Sequence, residues 1–296
     1  MRVFVTGATG FVGSAVVQEL LSAGHKVLGL ARSEEGARSV AATGAEVHRG
    51  DLQDLKSLRD GAAQSDGVIH TAFNHDFSKF AENCELDRRA IEALGTALAG
   101  SGRSLIVTSG TGLLSPGNLV SEDTAPPAES PIPRVSEQAG FAMVPRGVRV
   151  SVVRLPPSVH GDGDHGFVPI LIGIARDKGM AAYVGDGLNH WPAVHRLDAA
   201  QLYRLVLEKG SAGARYHGVA DEGVPFRDIA GVIGRRLNVP VVSKTPEEAS
   251  NHFGWFAPFA TIDCPASSQR TQEQLGWHPT HLSLIPDLDH ERYFRS

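Results

Sequence analysis

Three glycines near the amino terminus are spaced for holding a phosphate. They lie in the stretch 6–13, T-G-A-T-G-F-V-G, between the apolar run 3–5 and an amphipathic segment. Gly7 permits a tight turn off a strand, Gly10 lets the backbone approach an anion, and Gly13 lets a helix lie close to the strand. The unpaired N–H groups at the start of that helix attract a pyrophosphate without needing a lysine. The turn therefore predicts a dinucleotide-binding site.

The residues after the second predicted strand bear on which dinucleotide is bound. An NAD-selective site has an Asp or Glu there to accept the ribose 2′-hydroxyl, whereas the 2′-phosphate of NADP needs a cation. This chain has Arg32 followed by Ser33. The guanidinium can pair with the phosphate and stack on adenine, so we predict NADP. NAD stays an alternative because Glu34 and Glu35 follow at once, and so does a solvated arginine with no ligand.

Asp51 follows the third predicted strand, in the sequence Gly50-Asp51-Leu52. Its carboxylate could accept a hydrogen bond from the adenine amino group. It could also cap the helix that comes next, because Asp is a favoured N-cap residue. The two roles are compatible, and both Asp51 and Leu52 are candidates for the cofactor site.

These candidate residues need a scaffold in which strands and helices alternate. Short β-branched runs predict strands at 3–6, 27–31, 45–48, 67–71, 104–108 and 149–155. Apolar residues near helical spacing predict helices at 18–23, 52–63, 77–99 and 135–144. This alternation predicts an α/β fold, a Rossmann-type doubly wound parallel sheet with right-handed crossovers. The dinucleotide-binding domain would occupy residues 1–160.

Beyond residue 160 the pattern loosens into a smaller carboxyl-terminal substrate lobe. It would span 161–296, with 193–220 returning to the main sheet. Further helices are predicted at 198–209, 226–237, 246–253 and 267–275. Asp198 is expected to cap the first of them. The proline-rich segment 115–133 is expected to be a long loop beside the carboxyl ends of the strands, where such sheets bind ligands.

Composition argues against several other classes of protein. The chain has 296 residues and a formal net charge of −5, which disfavours a nucleic-acid binder. Its two cysteines and its histidine spacing suggest neither disulfides nor a metal site. The longest uncharged apolar run, 167–175, is too short to span a bilayer and predicts a buried helix. A strand that starts at residue 2 leaves no room for a leader, so we expect a cytoplasmic protein that acts on a small molecule.

Several further motifs agree with the glycine turn. They are Gly50-Asp51-Leu52, His70-Thr71-Ala72, Val107-Thr108-Ser109, Arg154-Leu155-Pro156, Val159-His160-Gly161 and Leu275-Gly276-Trp277 followed by Pro279. Together they span nearly the whole chain and resemble the extended short-chain dehydrogenase/reductase family, which includes nucleotide-sugar epimerases, dehydratases and carbonyl reductases. The resemblance implies a Rossmann domain, a substrate lobe, a nicotinamide cofactor, and pairing as a homodimer through helices that flank the fifth and sixth strands.

The motifs and the resemblance together give the expected cofactor residues. Those at the turn and the adenosine end are Gly7, Thr9, Gly10, Phe11, Val12, Gly13, Arg32, Ser33, Asp51 and Leu52. Those nearer the nicotinamide are Thr71, Ala72, Phe73, Thr108, Pro156, Ser158 and Val159. All are expected along the carboxyl edge of the sheet, where a Rossmann fold binds its dinucleotide.

One departure from the family affects the chemistry. Its members use a Tyr followed four residues later by a Lys, whose ammonium lowers the pKa of the phenol so that it can exchange a proton with substrate. Counting back from Gly147 and Arg154, this pair would fall near Glu129 and Pro133, and no tyrosine precedes Tyr183. The chain therefore resembles an atypical member, and its catalytic residues cannot be inherited.

Several residues are candidates to replace the missing pair. By similarity the family's catalytic hydroxyl falls near position 110, which Ser109 and Thr111 flank. His160 lies just past the sixth predicted strand, where an imidazole could pass a proton or hold a water. Tyr183 could supply a phenol from another direction. Turn and packing roles for His160 and Tyr183 are the alternative.

Substrate contacts are expected from His165, Phe167, His190 and Trp191. A tryptophan can form a wall against which a substrate packs, although many are simply core residues. The aromatic residues of the chain favour a small apolar or aromatic substrate. A nucleotide sugar is disfavoured because its diphosphate needs cations.

Three functions remain open. The first is an NADP(H)-dependent oxidoreductase acting on a small carbonyl or alcohol, with the proton handled by a hydroxyl side chain or by water held at His160. The second is a sensor or scaffold that binds NADP(H) without turnover, which the missing Tyr and Lys favour. The third is a nucleotide-sugar epimerase or dehydratase, which would need the lost phenolate.

Overall fold

The computed structural model describes residues 1–114, 117–127 and 132–295. The strands in these ranges are β1 (Arg2–Thr6), β2 (Lys26–Ala31), β3 (Glu46–Arg49), β4 (Gly67–His70), β5 (Ser104–Gly110), β6 (Arg149–Leu155), β7 (Ser158–His160), β8 (Ala181–Val184), β9 (His190–His195), β10 (Ala214–His217), β11 (Asp221–Pro225) and β12 (Val241–Lys244). The helices are α1 (Phe11–Ser22), α2 (Glu34–Ala42), α3 (Leu55–Ala63), α4 (Phe80–Leu98), α5 (Ser136–Phe141), α6 (Phe167–Lys178), α7 (Arg196–Lys209), α8 (Phe226–Leu237), α9 (Pro246–Phe253), α10 (Ala257–Ala260), α11 (Gln269–Leu275) and α12 (Leu284–Leu288).

Seven of the described strands form one parallel sheet, in the order β3-β2-β1-β4-β5-β6-β10. A parallel sheet is covered on both faces, so its strands need nearly continuous apolar runs. Val3, Phe4 and Val5 of β1 are accordingly all fully buried. The strand order reverses between β1 and β4, which is where such sheets bind ligands. The predicted α/β doubly wound sheet is confirmed.

Helices cover both faces of this sheet. α1 and α7 pack together on one face, where Leu20, Leu202 and Tyr203 share a core. α3, α4 and α5 cover the other face, where Leu58 and Leu94 are fully buried. Because the helices occupy the faces, the loops that follow the strands are what build the site.

A smaller lobe follows β6. In it β9 pairs with β7 and β11, while β8 pairs with β12. Its core contains the rings of Trp191, Phe226 and Phe256. Between β9 and β11 the chain runs back to the main sheet, because α7 packs on that sheet and β10 lies beside β6.

The apolar run at 167–175 forms most of α6, in which Val168, Leu171 and Ile172 are buried. These residues pack into the lobe core against α8 and β8. No helix in the described part of the chain has both the length and the apolar character that crossing a bilayer requires.

The start of α7 differs from the prediction. The helix begins at Arg196, and His195 caps it by accepting a hydrogen bond from a backbone amide of the first turn (3.3 Å). Asp198, the expected cap, lies inside the helix and accepts hydrogen bonds from Thr280 N (3.0 Å) and His281 N (3.1 Å). Its carboxylate therefore holds the carboxyl-terminal segment instead of its own helix end.

The predicted loop at 115–133 is described in part, and Glu129 lies outside the described residues. In the described part, Gly117 N donates a hydrogen bond to Asp263 O at 2.7 Å. This backbone contact ties the loop to the carboxyl-terminal lobe. The loop therefore connects the carboxyl edge of the sheet to the lobe.

Candidate functional site

The glycine-rich turn joins β1 to α1. Gly7 has a φ of +71°, and a Cβ there would lie 2.7 Å from Thr71 Oγ1. A Cβ at Gly13 would lie 2.0 Å from Gly7 O, so neither glycine can take a side chain unless the turn moves. At Gly10 a Cβ would meet only Gly7 O, at 3.2 Å. The space beside Gly10 is thus a cradle that a side chain would fill.

The helix that starts at this turn has unused donors. Gly10 is the N-cap of α1, no side chain caps the helix, and its first turn carries no acidic residue. Its first backbone N–H groups therefore remain available to an anion, at the positive end of the helix dipole. Thr9 is exposed on the turn, whereas Phe11 and Val12 are partly buried at the start of the helix. These residues fit the pyrophosphate of a dinucleotide.

The adenosine end of the groove presents a free cation. Arg32 follows β2, is exposed, and makes no hydrogen bond or ion pair with a described residue. Ser33 caps α2, because its hydroxyl accepts from Gly36 N at 3.1 Å. Glu34, which would repel a phosphate, is paired with Arg49. A guanidinium beside a neutralised carboxylate suits a phosphate at this position.

Asp51 forms a local turn after β3. Its Oδ1 accepts hydrogen bonds from Gln53 N (2.7 Å) and Asp54 N (3.1 Å). The expectation that Asp51 caps α3 is wrong, because Asp54 does so by accepting from the first backbone amides of that helix. Asp51 is exposed, while Leu52 is partly buried against the core. Only the contact with adenine stays a prediction for Asp51.

The residues after β4 and at the end of β5 are held by hydrogen bonds. Thr71 Oγ1 donates to Thr6 O at 2.8 Å, and Ala72 N donates to Thr6 Oγ1 at 3.4 Å. These contacts tie the loop after β4 to the end of β1. Thr108 Oγ1 lies 2.6 Å from the hydroxyl of Tyr203, which is fully buried on α7. The Thr108 hydroxyl is therefore committed to the core instead of the cofactor groove.

The two candidate catalytic hydroxyls after β5 differ in their partners. Ser109 is buried, and its hydroxyl faces Glu137, where it helps to lower the pKa of that carboxyl. Thr111 starts the 3₁₀ turn Thr111–Leu113, and its buried Oγ1 has no hydrogen-bond partner among the described residues. Neither hydroxyl is therefore exposed to the cleft, although that of Thr111 is unpartnered in the described part of the chain.

The segment between β6 and β7 ends in a closed cluster. Pro156 and Ser158 are buried and Val159 is partly buried, with Ser158 Oγ unpartnered among the described residues. His160 is fully buried, and its Nδ1 lies 2.9 Å from Asp287 Oδ2. Because this imidazole has no exposed surface, the prediction that it passes a proton at the cleft is not supported by its placement. No three described His, Cys, Asp or Glu side chains group to hold a metal.

Tyr183 lies on β8, which pairs with β12 inside the lobe. A Cβ at Gly187 would lie 2.7 Å from the Tyr183 ring, so the ring packs over that glycine. No hydrogen bond joins its hydroxyl to a described residue of the sheet edge. The structure therefore gives Tyr183 a packing position, which was the alternative to a catalytic one.

Two of the expected substrate residues border the cofactor turn and the lobe. His165 is exposed and its ring lies edge-on to Phe11, with centroids 5.7 Å apart. Phe167 begins α6, and its ring contacts Phe77 at 6.1 Å and Phe259 at 4.8 Å. Both residues thus lie between the glycine turn and the core of the lobe.

The other two expected substrate residues belong to the lobe itself. His190 Nδ1 lies 3.1 Å from Asp263 Oδ1, and both side chains are part-exposed. Trp191 is fully buried, and its Nε1 donates to Phe259 O at 3.2 Å. The prediction that Trp191 forms a pocket wall is wrong for this structure, because the indole fills the lobe core. Alternation along β9 places the two residues on opposite faces.

Sequence reasoning missed Arg134, which reaches the ends of β4 and β5. Its guanidinium carbon lies 4.2 Å from the centroid of Phe73, and its Nη2 donates to Thr108 O at 3.3 Å. Its Nε donates to Ser136 Oγ at 3.0 Å. The only available signal was its position next to Pro133, where the family's lysine was expected to fall.

A buried hydrogen-bonded chain fixes Arg134 from behind. Ser136 Oγ donates to Asp87 Oδ2 at 2.5 Å, and Asp87 Oδ1 lies 3.1 Å from His70 Nε2. His70 Nδ1 in turn lies 2.7 Å from Thr6 Oγ1, at the start of the glycine turn. All four supporting side chains are buried. We call this the Thr6–Arg134 chain.

Aromatic side chains continue from Arg134 towards the lobe. The ring centroids of Phe73 and His75 are 5.3 Å apart, and those of His75 and Phe77 are 6.2 Å apart. The ring of Phe77 stacks on that of Trp255, with centroids 5.3 Å apart. Phe167 and Phe259 contact the same Phe77 ring. Trp255 is 54% exposed. The six residues that we call the aromatic surface are Phe73, His75, Phe77, Phe167, Trp255 and Phe259.

A family model now accounts for the fold and the turn. The model described as the NAD dependent epimerase/dehydratase family matches residues 3–219. The chain belongs to this family. It is thereby an extended short-chain dehydrogenase/reductase, and a nicotinamide dinucleotide is the cofactor of its class. The family places it among oxidoreductases of the epimerase/dehydratase type.

Individual relatives agree with the family. The chain is 52% identical to the uncharacterized protein C2A9.02 of Schizosaccharomyces pombe over 99% of this chain and 100% of that one. It is 50% identical to the uncharacterized protein YLL056C of Saccharomyces cerevisiae over 97% and 98%. Among solved structures, the UDP-glucose 4-epimerase of Thermus thermophilus in complex with NAD is similar, with a TM-score of 0.76, 20% identity and coverage of 98% and 97%. This last likeness shows the fold alone.

Proposed function

We propose that the protein is an NADP(H)-dependent oxidoreductase that transfers hydride to or from a small apolar or aromatic carbonyl or alcohol. The observation that carries the proposal is the aromatic surface. It starts at Phe73, in the loop after β4 that is tied to the cofactor turn, and reaches Trp255 in the lobe. Rings in this position can hold a flat or apolar molecule beside the nicotinamide.

The preference for NADP rests on the adenosine end of the groove. Arg32 is an unpaired cation there, and Arg49 neutralises Glu34. A 2′-phosphate adjacent to Arg32 would gain a charge-assisted hydrogen bond. Glu35 is exposed beside these groups, so NAD is the alternative cofactor.

When bound, the nicotinamide supplies the hydride chemistry, and the protein orients the substrate and excludes water from the site. Phe73 and Phe77 present faces on which a substrate ring can lie. Desolvation by neighbouring atoms, and then the charge of Arg134, lower the pKa of His75, which favours its neutral form. A neutral imidazole suits acceptance of a proton in the direction of alcohol oxidation.

A second candidate function is an NADP(H)-binding sensor or scaffold without turnover. One observation favours it: none of the tyrosines lies where the family's acid would be. Tyr183 packs in the lobe, Tyr203 and Tyr216 are buried in the core, and Tyr293 lies in the cluster around His160. Nucleotide-sugar epimerisation is disfavoured by the same lack of a phenolate.

Calorimetry and turnover assays separate these functions. Isothermal titration with NADPH and NADH measures cofactor binding directly. Loss of NADPH absorbance with a panel of aliphatic and aromatic aldehydes, ketones and quinones then measures hydride transfer. Binding with turnover of any member supports the oxidoreductase. Tight binding without turnover favours the sensor, and no binding of either nucleotide would overturn both.

A further inference from the structure

We propose that Arg134 is the group that stabilises the substrate oxygen in place of the missing Tyr and Lys, and that the substrate is a quinone. This inference rests on the proposed function, because it needs a nicotinamide donor in the groove. It goes further by naming a catalytic residue and the chemical class of the substrate.

Arg134 is anchored on one side and free on the other. Nε and Nη2 are used by Ser136 Oγ (3.0 Å) and Thr108 O (3.3 Å). Nη1 has no partner among the described residues, and the side chain is only partly buried. A guanidinium is permanently charged and carries five donors in a fixed plane. The remaining donors can therefore bind a carbonyl oxygen that gains negative charge.

The guanidinium of Arg134 is held more firmly than that of an arginine on the surface. The Thr6–Arg134 chain links the guanidinium through buried side chains to the turn that carries the cofactor cradle. Asp87 supplies the countercharge, and its pKa is held low by His70, Arg134 and Ser136 against the effect of burial. Donors that are fixed before the reaction stabilise developing charge without a cost of reorganisation.

The described residues near Arg134 provide no strong acid. The low pKa of His75 leaves its imidazole neutral at pH 7. Ser109 and Thr111 are both buried, and the hydroxyl of either is a weak acid. The permanently charged Arg134 cannot release a proton. The site can therefore stabilise an anion but has no residue suited to protonating a basic alkoxide.

This chemistry favours a substrate whose reduced form is a weakly basic anion. An ordinary aldehyde or ketone gives an alkoxide, which needs an acid in the transition state. A quinone gives an anion related to a phenolate, and a phenol has a pKa of about 10. Arg134 can hold such an anion until water protonates it. The aromatic surface suits the flat ring of the same molecule.

The proposed step is a two-electron reduction. With NADPH bound, its nicotinamide would supply a hydride to a ring carbon conjugated with one carbonyl, and the π electrons would move onto that carbonyl oxygen as an enolate facing Arg134. The ring carbon then loses a proton to water, and the two oxygens take up two protons from water. The quinone is reduced by two electrons to a hydroquinone, and NADPH is oxidised to NADP⁺.

The first test compares substrate classes with the whole protein. We measure NADPH oxidation with 1,4-naphthoquinone and with benzaldehyde, against blanks without protein. The expected kcat/KM for the quinone is at least about 100-fold higher, because only the aldehyde needs the absent acid. Equal or faster reduction of benzaldehyde would overturn the quinone proposal while the proposed function stood.

The second test removes the guanidinium. Arg134→Met should lower kcat/KM for naphthoquinone about 100-fold, as loss of one oxyanion donor does in other enzymes. Arg134→Lys keeps the charge but loses the planar guanidinium, so its kcat/KM should lie between those of the wild type and Arg134→Met. Arg59→Met is the matched control, because Arg59 is exposed on α3 and lacks an ion pair with any described residue. Thermal melting checks that each variant is folded.

A binding measurement supplies a readout other than turnover. The absorbance of 4-nitrophenolate reports its binding to the NADP⁺-loaded protein as an anionic product analogue. The wild type should bind it about 10-fold or more tightly than Arg134→Met does, because charge-assisted hydrogen bonds are lost. If Arg134→Met turned over naphthoquinone and bound 4-nitrophenolate as well as the wild type does, Arg134 would not be a catalytic residue. NADPH binding with no turnover of either substrate would overturn both this inference and the proposed oxidoreductase.

Discussion

Glu137 holds the guanidinium of Arg154 through both carboxylate oxygens. Arg154 Nε lies 2.7 Å from Oε1 and Nη2 lies 2.8 Å from Oε2, and both side chains are buried. Arg215 Nε adds a third contact at 2.9 Å. The pair joins α5 to β6 directly below the carboxyl edge of the sheet. It therefore supports the segment that carries Arg134.

Removing this carboxylate should destabilise the protein strongly. We expect Glu137→Gln to lower the free energy of unfolding by about 3–5 kcal/mol, because Arg154 would remain buried without its countercharge. Urea denaturation followed by circular dichroism measures the change. Glu92→Gln is the control, since Glu92 pairs with Arg88 on the exposed face of α4 and should cost about 0.5 kcal/mol or less. Similar losses for both variants would contradict the structural role given to Glu137.

The same pair predicts how stability responds to acid. Burial alone would raise the pKa of Glu137, but hydrogen bonds from Arg154 and Arg215 hold it below its usual value. A lowered carboxyl pKa contributes stability above the unfolded value of about 4.3 and loses it as the pH falls through the folded value. Unfolding free energy measured across this range should decline more gently for Glu137→Gln than for the wild type.

The glycine turn predicts two different outcomes for two neighbouring substitutions. Gly13→Val should unfold the protein or cost more than about 4 kcal/mol, because its Cβ would clash with Gly7 O. Gly10→Val should lower the melting temperature far less than Gly13→Val, since its Cβ would meet only Gly7 O, at 3.2 Å. Calorimetry should nevertheless detect no dinucleotide binding to it. A Gly10→Val protein that binds NADPH normally would show that the cradle lies elsewhere.

Cofactor preference should depend on one exposed side chain. Arg32→Ala should weaken NADPH binding by about 10- to 100-fold, which is the worth of charge-assisted hydrogen bonds to a phosphate. NADH binding should hardly change, because NADH lacks that phosphate. Titration calorimetry with both nucleotides gives the two affinities. Arg59→Ala serves as the control, and an equal effect on NADH would argue that Arg32 acts on folding or on the adenine.

The histidine cluster near the carboxyl-terminal segment should make stability depend on pH. Burial, and then the nearby His160 and His281, lower the pKa of His195 to about 4. Its neutral form is therefore favoured in the folded state, while the unfolded chain takes up a proton below about pH 6.5. Stability should fall as the pH drops from about 6.5 to 4.

His195→Asn should reduce that dependence, because an amide can still accept the α7 capping bond and does not titrate. Denaturant midpoints at several pH values across this range measure the slope. The exposed His278, changed to Asn, is the matched control. Parallel slopes for wild type and His195→Asn would assign the acid sensitivity to other groups.

Much of the scaffold could be predicted from the sequence because it is encoded locally. The β-branched runs and the glycine turn specify strands and a turn through backbone preferences that few contacts can override. The helices predicted at 226–237 and 246–253 have the observed bounds. The sheet order follows from the same pattern, since right-handed crossovers leave few alternatives.

The site was harder to predict because side-chain direction depends on distant partners. Trp191 and His160 are next to plausible site residues in sequence, yet contacts with Phe259 and Asp287 bury them. Asp198 resembles a helix cap, but residues far along the chain use its carboxylate. Arg134 could not be predicted because the family pattern has a lysine at a fixed spacing, which an arginine at another position does not match. The arginine reaches the edge through the fold of the preceding loop.

The Thr6–Arg134 chain has a consequence for engineering. Each of its side chains is already engaged by its neighbour, and within the chain only the outer donors of Arg134 remain unused by the described residues. Grafting a conventional tyrosine and lysine onto this protein would mean releasing Arg134 and leaving Ser136 and Asp87 to find other partners inside the molecule. Restoring the ordinary reductase pair would therefore require changes to the buried side chains of this chain, and two substitutions alone would not achieve it.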